Sequence, residues 1–298
     1  MGGPATLVIK PPAGNSATAA TLLNEVQSRL AALECRYSRY LPDSLVSTIN
    51  RRAGSGEFTR LDPESATLLE VADQLWHSSG GLFDITSGVL RKAWRFDAAD
   101  GAVDLSQLDA LQEKVGWEKV ERTRDGIYLP LKGMEIDLGG LAKEYAADCA
   151  MSLLRGRGVT SGLIELAGDV ATIGCQPSGM PWRVGIRAPQ GGDPLGGIAL
   201  SNAAAATSGN YARTLCYEGR TYGHLLNPQT GWPVEGPTGV TVIGENCLSA
   251  GAVTTIACLH SPEAAMAWLS EAGLPWLMID RDAKYTGPLA VELGLMTA

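Results

Sequence analysis

The stretch Ile136–Tyr145, Ile-Asp-Leu-Gly-Gly-Leu-Ala-Lys-Glu-Tyr, does most to limit how this chain folds. It reads as a strand ending at Asp137, a turn on two glycines, and a helix with Lys143 in its first turn. Gly139 and Gly140 let backbone approach a ligand closely, and a helix N-terminus offers unpaired N–H groups. Lys143 adds a full positive charge, so the arrangement suits a phosphate-bearing ligand. Glycine-rich strand-to-helix turns also arise for packing reasons alone, and the segment does not choose between the two.

The rest of the chain narrows the classes. Its 298 residues, 45% apolar with 36 glycines and three phenylalanines, suffice for a large core in one elaborate domain or two intimate lobes. The formal charge is −8 and basic residues are scattered, which argues against a nucleic-acid surface. No apolar run approaches the roughly 20 residues that cross a bilayer. Met1–Ile9 has neither the basic start nor the apolar core of a signal peptide and reads as an entering strand. As written the chain reads as cytoplasmic; a periplasmic chain trimmed of its leader would read the same. Six cysteines (Cys35, Cys149, Cys175, Cys216, Cys247, Cys258) form no Cys-x-x-Cys pair and lack a histidine at metal spacing, so free buried thiols are expected.

Hydrophobic periodicity predicts helices over Thr18–Tyr37, a short stretch through Asn50, Ser65–Ser79, Leu141–Arg155, Ala250–Leu259 and Pro262–Glu271. A short helical segment ending near Trp94 follows Gly81–Gly88. Strands are expected in Val120–Leu131, Gly133–Leu138, Gly162–Ile173, Trp182–Ala188, Ile198–Thr207, Val240–Ile243 and Trp276–Asp280. The fold class is α+β, mixed or antiparallel sheets with helices packed on one side, in one continuous two-lobed unit over residues 1–298.

Four further segments resemble ligand-contact loops. Ser208-Gly209-Asn210-Tyr211 closes a small-residue strand, although a plain turn is the commoner reading. His224–Pro233 is a polar, Pro/Gly-framed loop led by a histidine, the side chain best suited to proton transfer near neutrality. His77 and His260 lie in helical or post-helical contexts without such framing. Gly168-Asp169 ends a strand and positions a carboxylate or caps a turn. Thr254 and Thr255 lie in a small-residue helix start; their hydroxyls can bind Mg²⁺, yet a hard cation usually wants a carboxylate as well, and that segment has none.

Order makes the pieces specific. Met1-Gly2-Gly3, Tyr40-x-Pro42-x-Ser44, Gly81-x-Phe83-Asp84-x-Thr86-x-Gly88, Asp137-Leu-Gly-Gly-x-Ala-Lys143-x-Tyr145, Gly168-Asp169, Ser208-Gly209-x-Tyr211 and His224-x-x-Asn-Pro-x-Thr-Gly231-x-Pro233 together resemble the ApbE family of FAD:protein FMN transferases. The likeness runs from Met1 to about Pro262. It implies an FAD substrate, a Mg²⁺ ion that activates its pyrophosphate, and transfer of FMN to a Thr/Ser hydroxyl of an acceptor redox protein with release of AMP. By the same resemblance Met1 and Tyr40 would meet the flavin side, and Leu82, Phe83 and Asp84 would hold part of the FAD. Asp137 and Lys143 would flank the nucleotide, Leu226 would line its pocket, and His224 would assist deprotonation of the acceptor. The metal would take the Gly140 carbonyl and Thr255, with Thr254 adjacent.

The departures bear on activity. The position of the family's metal-binding aspartate carries Gly251, and Asn227 replaces an aspartate after the histidine. Glu144 stands where a glycine usually follows the lysine, and could substitute for the lost carboxylate or repel the phosphates. Ala167 replaces the first glycine of a Gly-Gly-Asp. Three readings remain open at this level: a working Mg-dependent transferase, a catalytically impaired FAD-binding relative acting as carrier or sensor, and an FAD pyrophosphatase releasing FMN and AMP.

Overall fold

The computed structural model describes residues 3–12, 18–96, 102–211 and 213–295, so the expectation placed on Met1 lies outside the described residues. Seven strands form an antiparallel sheet whose spatial order follows the chain: β1 (Ala5–Lys10), β2 (Ser161–Leu166), β3 (Asp169–Ile173), β4 (Ala204–Gly209), β5 (Gly239–Gly244), β6 (Trp276–Ile279) and β7 (Tyr285–Thr286). Leu7 stands opposite Ile164, and Thr207 opposite Thr241.

The helices are α1 (Ala19–Tyr37), α2 (Leu45–Arg51), α3 (Pro63–Ser78), α4 (Leu108–Gln112), α5 (Ala142–Gly156), α6 (Cys247–Leu259), α7 (Pro262–Ala272) and α8 (Pro288–Glu292). Their starts follow local chemistry. Thr18, Ser44, Asp62, Asn246 and Ser261 each accept a backbone N–H from the first turn, and Pro63 and Pro262 stand at first positions where a missing donor costs nothing.

Alternate strand residues enter different cores. Ala171, Ala204, Ala206 and Met278 join clusters built with the helices, while Val170, Ala205, Leu277 and Ile279 face a covering hairpin (Trp182–Ile186 with Gly196–Leu200) and α8. The long helices therefore cover one face, and the hairpin together with the short helix α8 covers the other. That is why β6 reads as the unbroken apolar run Trp-Leu-Met-Ile rather than an alternating one. Small residues set the depth of packing. Ala146, Ala147 and Ala150 of α5 and Ala250, Gly251 and Ala257 of α6 are buried, which lets these helices lie close to the sheet and to each other. The two run antiparallel in contact: Asp148 of α5 accepts the N–H groups of Cys247 and Leu248 at 2.8 and 2.9 Å, and Glu144, one turn earlier, lies over Gly251.

A second layer holds the loops. A 3-10 helix at Ile85–Lys92 and the hairpin Thr214–Tyr217/Arg220–Gly223 pack around Val89, Leu90, Trp94, Leu108 and Leu215, while a three-stranded sheet (Thr59–Arg60, Gly126–Tyr128, Glu121–Thr123) joins the main core through Ile127.

Several expectations change. Gly133–Leu138 pairs with no strand; Asn50 takes the place of one, donating to the Ile136 carbonyl at 3.0 Å and accepting its N–H at 2.8 Å. Gly162–Ile173 is a hairpin, so Asp169 opens its second strand instead of ending one. Ala167 and Gly168 form its turn at φ 50° and 102°. Ile198–Thr207 likewise breaks at Asn202, φ 50°. Val120–Leu131 contains two short strands around Asp125-Gly126. Of the free cysteines only Cys247 and Cys258 are buried; Cys35 and Cys216 are exposed. No helix among the described residues is long and apolar enough to cross a membrane.

Alanine at φ 50° pays a left-handed penalty that glycine avoids. Ala167→Gly is expected to stabilise the fold by about 0.5–1 kcal/mol, read as a higher urea midpoint at unchanged slope. A lower midpoint would show that the turn is not strained.

Candidate active site around the first turn of α5

The glycine turn is held from three sides. The Asp137 N–H donates to the Ile85 carbonyl at 2.8 Å, and its Oδ1 accepts the Gly139 N–H at 2.9 Å. Its Oδ2 pairs with Arg39 Nε at 3.1 Å. Gly88 lies directly beneath, where a Cβ would sit 2.6 Å from that of Asp137, and a Cβ on Gly140 would meet the Phe83 ring at 3.3 Å. Close approach therefore requires glycine at 88, while a side chain at 140 would make the Phe83 ring give by a few tenths of an ångström. No side chain caps the start of α5.

Among the predicted contacts to FAD, Phe83 is buried against this turn and Leu82 is half-buried. Asp84 is buried with both oxygens engaged: Oδ1 accepts the Thr86 N–H and hydroxyl at 2.7 and 2.6 Å, and Oδ2 accepts the Trp117 N–H at 2.9 Å. Burial raises its pKa despite these bonds. Its carboxylate thus ties the loop together. Tyr40 is 72% exposed, its ring stacked 4.6 Å from the Arg39 guanidinium and its hydroxyl accepting from Arg39 Nη2 at 2.7 Å. Arg39 was not anticipated from sequence, although it directly precedes Tyr40. It bridges Tyr40 to Asp137.

Lys143 projects between two carboxylates. Its Nζ lies 2.9 Å from Glu144 Oε1 and closer still to Asp169 Oδ2. Asp169 is fixed by the Thr207 N–H, which donates to Oδ1 at 3.0 Å. Glu144 runs over Gly251, where a Cβ would come within 2.5 Å of its Cγ.

A chain of hydroxyls continues onto α6, and its proton order follows from its end. The Thr254 hydroxyl donates to the Gly251 carbonyl at 2.9 Å, and a carbonyl can only accept. Ser208 Oγ, 2.9 Å from Thr254 Oγ1, must then donate to Thr254. Thr255 Oγ1, 3.1 Å from Ser208, donates in turn to Ser208. Thr254 is fully buried and its oxygen is spent on this chain, whereas half-buried Thr255 keeps the lone pairs of its oxygen.

The histidine loop joins the same rim. Asn210, two residues after Ser208, accepts the Leu225 N–H at 3.1 Å, and Gln229 Nε2 donates to the Gly80 carbonyl beside Leu82 at 3.1 Å. Within the loop Asn227 Oδ1 accepts from Gln229 and Thr230 N–H groups at 2.8 and 3.3 Å. Only an acceptor oxygen is needed there, so asparagine does the work of an aspartate. Leu226 bridges to Pro233 and packs on the cluster around Trp94, whose Nε1 donates to the Gly231 carbonyl at 2.9 Å. Burial, with the Arg213 charge adding to it, lowers the His224 pKa to about 4, against the effect of a hydrogen bond to the Arg213 backbone. The imidazole is neutral at neutral pH.

Six buried side-chain polar atoms among the described residues lack a partner, and three belong to this rim: Arg39 Nη1, Glu144 Oε2 and His224 Nδ1. Buried polar atoms are normally satisfied, so a rim with a cationic, an anionic and a neutral orphan is built for a ligand with matching groups.

The comparisons agree with this picture. The model of the ApbE family matches residues 1–278. An FAD:protein FMN transferase of Klebsiella pneumoniae is 31% identical over 244 residues, covering 77% of this chain and 73% of the relative. One of Chlamydia pneumoniae is 29% identical over 245 residues, covering 80% and 76%. The apo structure of the Pseudomonas stutzeri flavinyl transferase ApbE superposes with a TM-score of 0.84 at 26% identity, covering 97% of this chain and 92% of the other. The chain belongs to the ApbE family.

Proposed function

We propose that this protein transfers FMN from FAD to a threonine or serine hydroxyl of an acceptor redox protein, with AMP as the leaving group. The observation that carries the reading is the single rim joining the glycine turn, Lys143, the Ser208–Thr255 hydroxyls and an open His224 nitrogen, in a chain whose relatives carry that name.

In this reading Tyr40 and Phe83 offer aromatic surface to the flavin or nucleotide rings, with Met1 and Leu82 as flanking contacts, while Asp84 acts by fixing the loop that presents Phe83. Asp137 orients the glycine turn so that its backbone and Lys143 face the pyrophosphate. The acceptor oxygen forms a bond to the FMN phosphorus and the phosphoanhydride bond to AMP breaks. The hydroxyl proton passes to His224 Nδ1, which is unprotonated at neutral pH and has no other partner. Leu226 and the self-tied loop hold that imidazole in place.

A divalent cation fits the residues present, because Glu144, whose Oε2 is buried without a partner, lies over Gly251, and Thr255 with free lone pairs stands one turn further along α6. Glu144 and Thr255 would hold it with the Gly140 carbonyl, and Thr254 would support them. When bound, Mg²⁺ would neutralise charge developing on the pyrophosphate oxygens. Every other step belongs to the side chains above.

The reading is tested by chromatography of AMP after incubation with FAD, an acceptor peptide containing the threonine motif, and Mg²⁺. AMP is expected only when the peptide and the metal are both present. AMP with free FMN and no peptide requirement would identify a pyrophosphatase, and tight FAD binding without AMP a non-catalytic relative.

A further inference from the structure

We infer that the divalent-cation carboxylate of this protein is supplied by Glu144 of α5, reaching across the helix pair into the space that Gly251 of α6 leaves open. The inference rests on the function proposed above for its setting, and on this chain's own packing for its content.

Glu144 follows Lys143 in the first turn of α5 and lies on the buried face of that helix, in line with Ala147 and Met151. It is 6% exposed and crosses to α6. The path exists only because residue 251 has no side chain, since even a methyl group would stand 2.5 Å from Glu144 Cγ and 3.2 Å from its carboxyl carbon. The two positions therefore exclude each other: a side chain at 251 displaces Glu144, and Glu144 fills the room of a side chain at 251.

A carboxylate so placed must be compensated. Oε1 has Lys143 at 2.9 Å, but that ammonium is shared with Asp169, and Oε2 is buried with no partner. One lysine against two carboxylates leaves the cluster one negative charge in excess. A cation on Oε2 corrects both faults.

The neighbouring donors are oxygens and suit a hard ion. Gly251 and Thr255 are four residues apart on α6 and so share a helix face. The hydroxyl order derived above leaves Thr255 Oγ1 with free lone pairs on that face. Glu144 is thus both the ion partner that keeps Lys143 oriented and an oxygen donor to the cation. Mg²⁺ sites rest on one or two carboxylates plus waters, so a single relocated carboxylate with a hydroxyl is sufficient.

Binding of Mn²⁺ alone, followed by calorimetry and by the electron paramagnetic resonance signal of the free ion, tests the assignment on the full chain. Glu144→Gln keeps the shape and is expected to weaken Mn²⁺ binding at least tenfold. The reciprocal pair Glu144→Gly with Gly251→Asp, which moves the carboxylate to α6, is expected to return affinity to near wild-type. Gly251→Asp alone, with Glu144 in its way, is expected to gain nothing. Circular dichroism melting of each variant separates loss of binding from loss of fold. Unchanged Mn²⁺ affinity in folded Glu144→Gln overturns the inference, as does a wild-type protein that transfers flavin yet binds no Mn²⁺. Mn²⁺ binding that depends on Glu144 in a protein with no flavin transfer leaves the inference standing and removes the function instead.

Discussion

His224→Ala is expected to lower flavin transfer roughly 10²- to 10⁴-fold with FAD affinity unchanged, the range for loss of a positioned proton acceptor. The side chain is set for that role by its loop. Leu225 is fixed by Asn210, Leu226 is packed and paired with Pro233, and Nδ1 is left open. Burial has a second consequence. With its pKa lowered from 6.5 to about 4, the folded protein holds His224 neutral where the unfolded chain binds a proton. Stability contributed by the neutral form is therefore complete above about pH 6.5 and is lost as pH falls from there toward 4. His224→Asn should flatten that part of the stability profile. The acid limb of kcat/KM for the wild-type protein should lie near 4, well below an ordinary histidine. An acid limb near 6.5 would mean that another group accepts the proton, or that the imidazole is more open to water in the working enzyme.

Lys143→Ala is expected to weaken FAD binding tenfold or more and to destabilise the fold by about 2 kcal/mol. The first effect comes from removing the one cation in the first turn behind the glycine pair. The second comes from Asp169 and Glu144, whose side chains are 3% and 8% exposed and would lose their shared counter-ion. The figure lies below the 3–5 kcal/mol typical of fully buried pairs because Lys143 is itself 26% exposed and partly screened by water. Fluorescence titration with FAD and a urea melt measure the two separately. Unchanged FAD affinity would remove Lys143 from the phosphate site, whatever happens to stability.

The elements with strong local signals were legible in the sequence. The 3.6-residue spacing placed α1, α3, α5 and α7 within a residue or two and the end of α6 at Leu259; α6 starts earlier, at Cys247, because Asn246 and Asp148 extend it. What failed were decisions made across the chain. The segment before Asp137 is extended like a strand, yet its hydrogen-bond partner is the side chain of Asn50, distant in sequence. Ala167 gives no warning of a tight turn, because alanine rarely adopts its positive φ. The same holds at the site. The lysine, the glycine turn and the histidine loop follow from their residue types, and the resemblance set them in order. The tie between Glu144 and Gly251 depends on two helices lying side by side, a relation that neither local sequence contains. In the sequence Gly251 reads as a lost ligand and Glu144 as either a substitute carboxylate or a charge that repels the phosphates; the contact between them supports the first. Asn227 is resolved in a similar way, since its hydrogen bonds use only an oxygen that aspartate would also have supplied.

The most direct test of the account is the intact mass of an acceptor peptide after incubation with FAD, Mg²⁺ and the purified protein. Flavin transfer gives a peptide heavier by FMN less one water, with the added mass on its threonine or serine and an equal amount of AMP in solution. An unmodified peptide in the presence of protein-bound FAD would contradict it.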